Sequence, residues 1–124
     1  MDHSTEADAA GTVGHVTLQD AAARLPTPEG KRSVALFEHG SLQVKLYAPR
    51  GADTQTPHTR DEIYVVARGE GWFVHGERRH RFAPQDVLFA AAGVAHRFEG
   101  FSDDFLVWVF FYGPEGGEKG KRGD

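Results

Sequence analysis

The sequence predicts an all-β fold, either a sandwich or a barrel, for three reasons. Turn signals recur about every 6 to 12 residues between runs of β-branched and aromatic residues. The 15 glycines and 6 prolines supply residues for many tight turns. Nine Phe, two Trp and three Tyr against a single Met indicate a rigid aromatic core.

The first predicted element is a short helix over residues 17–25, capped by the Thr17 side chain and ended by Pro26. Every later element is predicted to be a strand, because short apolar runs are separated by glycine, proline and aspartate turns. The predicted strands cover residues 34–38, 42–48, 63–67, 71–75, 78–82, 87–90, 96–99 and 105–112.

The second predicted strand, residues 42–48, alternates apolar and polar side chains, which is typical of a strand with one face on a core. Its apolar face is predicted to point inward. The inward residues are Leu42, Val44 and Leu46, and Gln43, Lys45 and Tyr47 form the other face.

A chain of 124 residues is long enough for one domain and too short for two. Residues 1–15 lack hydrophobic periodicity, and residues 114–124 are rich in Gly, Glu and Lys. We therefore expect a flexible arm over residues 1–15, one domain over residues 16–113 and a flexible tail over residues 114–124.

Composition excludes several classes of function. Without cysteine there is no disulfide and no thiolate ligand or nucleophile. A net charge of −4 argues against nucleic acid as a partner, because binding a phosphate backbone needs a concentrated basic face. The first residues contain no apolar run of the secretory type, and no stretch reaches membrane-spanning length, so we expect a cytoplasmic protein that does not bind membranes.

His58 and Glu62 are the first candidate site residues. Their spacing of four would also suit a helix face, but Pro57 and the β-branched run that begins at Ile63 favour extended chain. Even spacing in a strand places both side chains on one face, with Tyr64 on the same side. Taken alone, the pair is better explained as a loop histidine and a solvated carboxylate.

His96 begins a predicted strand in which His96 and Phe98 share one face. A lone inward histidine is usually a hydrogen-bonded core residue. Its place after a turn that contains Gly93 favours a ligand role instead.

The segment around His58 resembles the first motif of the cupin superfamily, which reads Gly, a gap, His-x-His, three or four residues, Glu, six residues and Gly. Gly51 begins the match, His58 fits the second histidine, Glu62 follows three residues later and Gly69 closes it after six more. Thr56 stands where the first histidine should be.

The second cupin motif has a more degenerate counterpart that keeps its histidine. Asp86 leads a strand, and Gly93 and His96 fit the Gly-x-x-His of the motif. Ala92 replaces its proline and Gly100 its final asparagine. The resemblance covers roughly residues 50–100 and implies a double-stranded β-helix, the jelly-roll barrel of cupins, and a tendency to dimerise.

The resemblance implies that His58, Glu62 and His96 meet around one divalent metal. Two imidazoles and a carboxylate suit iron, manganese, nickel or zinc better than calcium or magnesium. A threonine hydroxyl is a poor ligand for such metals, whereas a glutamine carbonyl is a tolerable one. Thr56 therefore leaves the fourth ligand position to either the Gln55 side chain or water.

Four further residues are candidates for a pocket that receives a small organic molecule. They are Thr56, Tyr64, Phe98 and Trp108. Arg60 and Arg97 lie beside the candidate ligands and suit either an anionic substrate or ion pairs with Asp61 and Glu99.

The leading hypothesis is a metal-binding small cupin with a small-molecule pocket, with dioxygenase, isomerase or lyase chemistry if it is an enzyme. A second hypothesis, motivated by Thr56, is a non-catalytic module that binds or senses a small molecule at a degenerate metal site. A third is a structural domain that pairs its sheets as a homodimer, with the N-terminal arm covering an edge strand. Fold resemblance does not choose among reactions.

Overall fold

The structure is a computed structural model in which residues 14–119 are described. One short helix, α1, is followed by eight strands. They are α1 (Leu18–Ala22), β1 (Ser33–His39), β2 (Leu42–Tyr47), β3 (Asp61–Arg68), β4 (Gly71–His75), β5 (Arg78–Phe82), β6 (Val87–Ala90), β7 (His96–Glu99) and β8 (Leu106–Tyr112).

The all-β jelly roll expected from the sequence is confirmed. One antiparallel sheet has five strands in the order β1-β2-β8-β3-β6, and the other has three in the order β5-β4-β7. The chain passes from the larger sheet to the smaller one between β3 and β4. The turn there contains Gly69, whose φ of 93° suits glycine and no other residue without strain.

The main core lies between the two sheets and is largely aromatic. Its rings meet edge-on or tilted, as in the pairs of Tyr64 with Phe98 at 5.0 Å and Phe82 with Phe105 at 4.8 Å. The buried members are Tyr64, Val66, Phe73, Phe82, Ala90, Phe98, Phe105, Val107, Val109 and Phe111.

A second buried cluster covers the outer face of the larger sheet. Thr17 caps α1 by accepting a hydrogen bond from the Asp20 N–H, and α1 packs Ala21 into this cluster. The cluster explains why β8 is apolar along its whole length, because its side chains alternate between the two clusters. The buried members are Ala21, Leu36, Val44, Leu46, Ala48 and Leu106.

The alternation predicted for β2 is present, but its apolar face does not point between the two sheets as expected. Val44 and Leu46 join the outer cluster, whereas Lys45 and Tyr47 line the cavity between the sheets. The more polar face of β2 is therefore the one that contributes to the candidate site.

The ends of the chain are described only in part. Residues 1–13 of the predicted arm and residues 120–124 of the predicted tail lie outside the described residues. In the remaining tail, the Gly116 N–H donates to the Thr59 carbonyl at 2.7 Å and the Glu118 N–H to Asp61 Oδ2 at 2.8 Å. Over residues 14–119, no helix has the length and apolar character needed to cross a membrane.

Candidate metal centre

The structure brings His58, Glu62 and His96 together between the sheets. One potential ligand atom from each lies within 4.8 Å of the others. His58 precedes β3, Glu62 is the second residue of β3, and His96 begins β7 in the opposite sheet. The even spacing on β3 acts as predicted, because Glu62 and Tyr64 are both buried on the inner face.

Backbone hydrogen bonds hold the segments that carry the two histidines next to each other. The Gly93 N–H donates to the His58 carbonyl at 2.8 Å. The buried Asp61 carboxylate accepts from the Ala92 N–H at 2.9 Å. The turn before His96 is thus tied to the segment from His58 to Asp61, which fixes the distance between the candidate ligands.

The hydrogen bond of His96 to the backbone orients its ring. Nδ1 is 2.8 Å from the Val94 carbonyl oxygen, so Nδ1 carries the proton and donates it. Nε2 therefore faces Glu62 Oε1, which is 2.9 Å away, but the two groups are not aligned for a hydrogen bond. A histidine held at one nitrogen by a backbone carbonyl, with the other free, is the usual arrangement of a metal ligand.

The charge of Glu62 makes this position favourable for a cation. Burial lowers the pKa of His96, but the contact with Glu62 and the Val94 carbonyl outweigh burial, so the pKa is raised overall. A proton is thus attracted to the place where a metal would be bound. Metal binding would release it, because a ligating imidazole must be neutral at the nitrogen that binds.

The orphaned polar atoms also fit a metal. Among residues 14–119, four buried side-chain atoms have no hydrogen bond, and three of them are Glu62 Oε1, Glu62 Oε2 and His96 Nε2. Such atoms are costly unless something satisfies them. Two ligands about 2.1 Å from one ion at a right angle are about 3 Å apart, close to the 2.9 Å observed between His96 and Glu62.

His58 lies farther from the carboxylate and is more accessible than the other two residues. Its Nε2 is 3.8 Å from Glu62 Oε1, and its side chain is 36% exposed, against 1% for Glu62. The Phe111 ring packs edge-on against it with centroids 5.1 Å apart. His58 therefore stands at the opening of the centre.

Gln55 approaches the centre at the position that the sequence left open. Its Oε1 is 3.2 Å from His58 Nε2 and accepts a hydrogen bond from the Tyr64 hydroxyl at 3.3 Å. Thr56, by contrast, is exposed and does not line the cavity. Of these two neighbouring residues, Gln55 is the one whose side chain reaches His58.

Asp53 fixes the orientation of Gln55. Its Oδ2 accepts from Gln55 Nε2 at 2.7 Å and from the Phe98 N–H at 2.8 Å, while Oδ1 accepts from the Tyr47 hydroxyl at 2.5 Å. Because the amide nitrogen is used by Asp53, the amide oxygen must face the centre. Asp53 thus acts on the candidate ligands through Gln55.

Two phenols beside the centre, the buried Tyr64 and the half-buried Tyr47, remain protonated at neutral pH. Burial, followed by the charge of Glu62, raises the pKa of Tyr64 above its usual value. Burial and the bond to Asp53 do the same for the pKa of Tyr47. Both hydroxyls therefore act as hydrogen-bond donors rather than as bases.

A cavity of about 140 Å³ has two of the three candidate ligands, His58 and Glu62, in its wall. It is smaller than the clefts of roughly 300 to 1,000 Å³ that hold drug-sized ligands, so its size suits a molecule of few atoms. It is lined by Ser33, Lys45, Tyr47, Gln55, His58, Glu62, Tyr64, Val109 and Phe111.

The four pocket candidates from the sequence take different positions. Tyr64 lines the cavity and Thr56 does not. Phe98 lies in the core and packs on Tyr64 without reaching the cavity wall. Trp108 packs against the outer cluster, on the other face of the larger sheet.

The two arginines beside the candidate ligands differ in their partners. Arg97 pairs with Glu99, with Nη2 2.6 Å from Oε2. Arg60 donates to the Ser41 carbonyl and lies over the Phe111 ring, while Asp61 accepts from backbone groups instead. One of the two suggested ion pairs is thus present, and the other is not.

Sequence reasoning missed Asp53 and Asp61 as residues that position the centre. Aspartates after a glycine or in front of a strand are common turn residues, so neither stands out by pattern. A weak signal exists for Asp61, because a charged residue directly before a buried carboxylate in a strand needs a partner of its own.

Comparisons with known proteins agree with this architecture. The sequence model of the cupin domain family matches residues 44–112. An uncharacterized protein of Streptomyces coelicolor is 38% identical over 77 residues, which are 60% of this chain and 73% of that protein.

Two crystal structures are similar over most of their own length. The TT1209 protein from Thermus thermophilus is 26% identical with a TM-score of 0.64, over 81% of this chain and 98% of that one. A cupin-2 domain containing protein from Shewanella frigidimarina is 14% identical with a TM-score of 0.64, over 79% of this chain and 94% of that one, which shows the fold alone. With the family match over more than half of its residues, the chain belongs to the cupin domain family.

Proposed function

We propose that this cupin binds one divalent transition metal through His58, Glu62 and His96, with the Gln55 carbonyl as fourth ligand. The observation that carries the proposal is the contact between His96 Nε2 and Glu62 Oε1, two buried atoms 2.9 Å apart that lack a hydrogen bond. With no cysteine in the chain, imidazole nitrogen and carboxylate or amide oxygen are the available donors. This set favours iron, manganese, nickel or zinc.

We further propose that the protein is a metal-dependent enzyme acting on a small molecule in the adjoining cavity. A bound metal would polarise the oxygen atoms of a substrate and leave positions open for substrate, water or dioxygen, which suits dioxygenase, isomerase or lyase chemistry. The chain contributes the Tyr64 hydroxyl, which holds the Gln55 amide oxygen, and apolar walls at Val109 and Phe111 that limit water at the site.

The metal content of the purified protein tests the proposal. We expect about one equivalent of transition metal in protein made without a chelating tag, and a large loss in His96→Ala and Glu62→Gln. His80→Ala is the matched control, because this exposed histidine on β5 lies outside the centre. Equal metal in His80→Ala and in a folded His96→Ala protein would refute the site. Removal of the buried His96 side chain also lowers the stability of the fold. His58→Ala therefore provides an independent comparison, because the His58 side chain is partly exposed.

The alternative is a non-catalytic module that binds or senses a small molecule. It is favoured by the absence of histidine at Thr56, which leaves a weaker ligand set than the full cupin motif. A ligand screen with and without chelator separates the two functions. Binding that is unaffected by removal of metal would favour the module.

A further inference from the structure

The entrance to the cavity carries two cationic side chains around one aromatic ring. Lys45 Nζ is 5.8 Å from the centre of the Phe111 ring, and Arg60 Cζ is 5.9 Å from it. Both residues line a depression that adjoins the cavity, and His58 lies in its wall as well. The opening towards the metal centre is therefore framed by positive charge.

Lys45 is placed there by the strand register and has no carboxylate of its own. It lies on the inner face of β2, opposite Val109 of β8. Within residues 14–119, the Lys45 side chain forms no hydrogen bond or ion pair, and its ammonium group lies near the Phe111 ring. An ammonium group directed into a partly apolar cavity without an anion has its charge available for a ligand.

Arg60 is held more firmly than Lys45. One nitrogen donates to the Ser41 carbonyl, which anchors the guanidinium at the rim. A guanidinium has five N–H donors, so others remain for a ligand.

Two nearby carboxylates, those of Glu62 and Asp53, are directed at other groups. Glu62 points at the two histidines, and a metal bound there would carry the greater charge. Asp53 is occupied by Tyr47, Gln55 and Phe98. With a divalent metal in place, the entrance and the cavity have an excess of positive charge, which selects an anionic ligand.

We propose that the cavity receives a small organic carboxylate whose carboxylate group binds Lys45, with Arg60 assisting at the rim. The apolar part of the ligand then lies against Phe111 and Val109 and directs its other end towards the metal. The inference rests on the proposed function for the metal end and on Lys45 for the carboxylate end. The volume of about 140 Å³ limits the ligand to a compact acid.

Titration with a charged and a neutral probe of the same shape tests this proposal. Pyruvate and pyruvamide are added to cobalt-loaded protein, and the visible absorption of the cobalt centre is followed. We expect pyruvate to bind at least tenfold more tightly than pyruvamide, and Lys45→Met to weaken pyruvate about tenfold with little effect on pyruvamide. Lys31→Met, at an exposed lysine outside the cavity, should match the wild type.

The outcomes separate this proposal from the metal proposal. Equal affinity for the two probes, or for pyruvate in wild type and Lys45→Met, would overturn the carboxylate proposal even with full cobalt occupancy. If the protein takes up no cobalt, the same titrations are followed by ligand-observed NMR on the metal-free protein. Pyruvate binding that still depends on Lys45 would then support the carboxylate site alone, and its absence would refute both.

Discussion

At the scale of single residues, the most instructive position is the one where the motif departs from its family. The sequence left Gln55 and water as alternatives for the missing histidine at Thr56. The structure turns the Gln55 oxygen to within 3.2 Å of His58 Nε2, and Asp53 holds the amide in that orientation. With Gln55 as the proposed fourth ligand, a neutral oxygen would replace an imidazole and make the ligand set harder, so we expect the preference to shift from zinc and nickel towards iron and manganese.

Gln55→Ala should therefore weaken metal binding, whereas Thr56→Ala should not. The amide oxygen is directed at the centre, and the threonine side chain is exposed. We expect Gln55→Ala to lose at least the 10- to 100-fold in affinity that removal of an outer-shell partner causes. Competition with a chelator of known affinity measures both variants. Equal affinities would show that water, and not Gln55, fills the fourth position.

The side-chain directions that the sequence predicted correctly are those fixed by strand parity. Glu62 and Tyr64 share the inner face of β3, as do His96 and Phe98 on β7, because side chains in a strand alternate strictly. Asp53 could not be found in this way. It lies in a loop, and its position depends on hydrogen bonds from the nearby Tyr47 and Gln55 and from the distant Phe98 N–H.

At the scale of elements, the eight strands were predicted closely because turn residues mark their ends. The faces were harder to assign. The apolar face of β2 packs in the outer cluster rather than between the sheets, since α1 and the residues on either side of it cover that face. Hydrophobic alternation shows that a strand has a buried face, but with two buried clusters it does not show which one.

The turn between β3 and β4 provides a prediction about the element that joins the sheets. A Cβ at Gly69 would lie 2.7 Å from Ser102 Oγ and 2.8 Å from Phe105 Cα, in addition to the strain of a φ of 93°. Gly76 in the next turn has a φ of 61°, but its Cβ would meet nothing within 4 Å. Gly76→Ala should thus lower the free energy of unfolding by about 1 to 2 kcal/mol. Gly69→Ala should lower it by about 2 to 4 kcal/mol.

Urea denaturation of the two glycine variants measures this difference directly. The comparison removes the conformational effect common to both turns and leaves the effect of the contact with Phe105. Equal losses in the free energy of unfolding would mean that the contacts of the added Cβ with residues 102–105 cost no stability.

At the scale of the whole molecule, the candidate ligands come from both sheets. Glu62 lies in the larger sheet, His58 in the segment before it, and His96 in the smaller sheet. A metal bound by all three would link the sheets across the core at the end where the cavity opens. The homodimer and the cytoplasmic location stay predictions, the first to be examined by sedimentation at micromolar concentration.

Metal should therefore stabilise the entire fold, and the effect should require ligands from both sheets. At a free metal concentration 100 times the Kd, binding to the folded state alone adds about 2.7 kcal/mol to the free energy of unfolding. For a domain of this size, that raises Tm by roughly 10 to 12 °C. Calorimetry with and without manganese, iron(II) under exclusion of oxygen, nickel or zinc should show this rise in wild type and in His39→Ala, whose histidine is exposed on β1. The rise should vanish in His58→Ala and in His96→Ala. A rise that survives in both variants would place the metal elsewhere on the molecule and remove the link between the sheets.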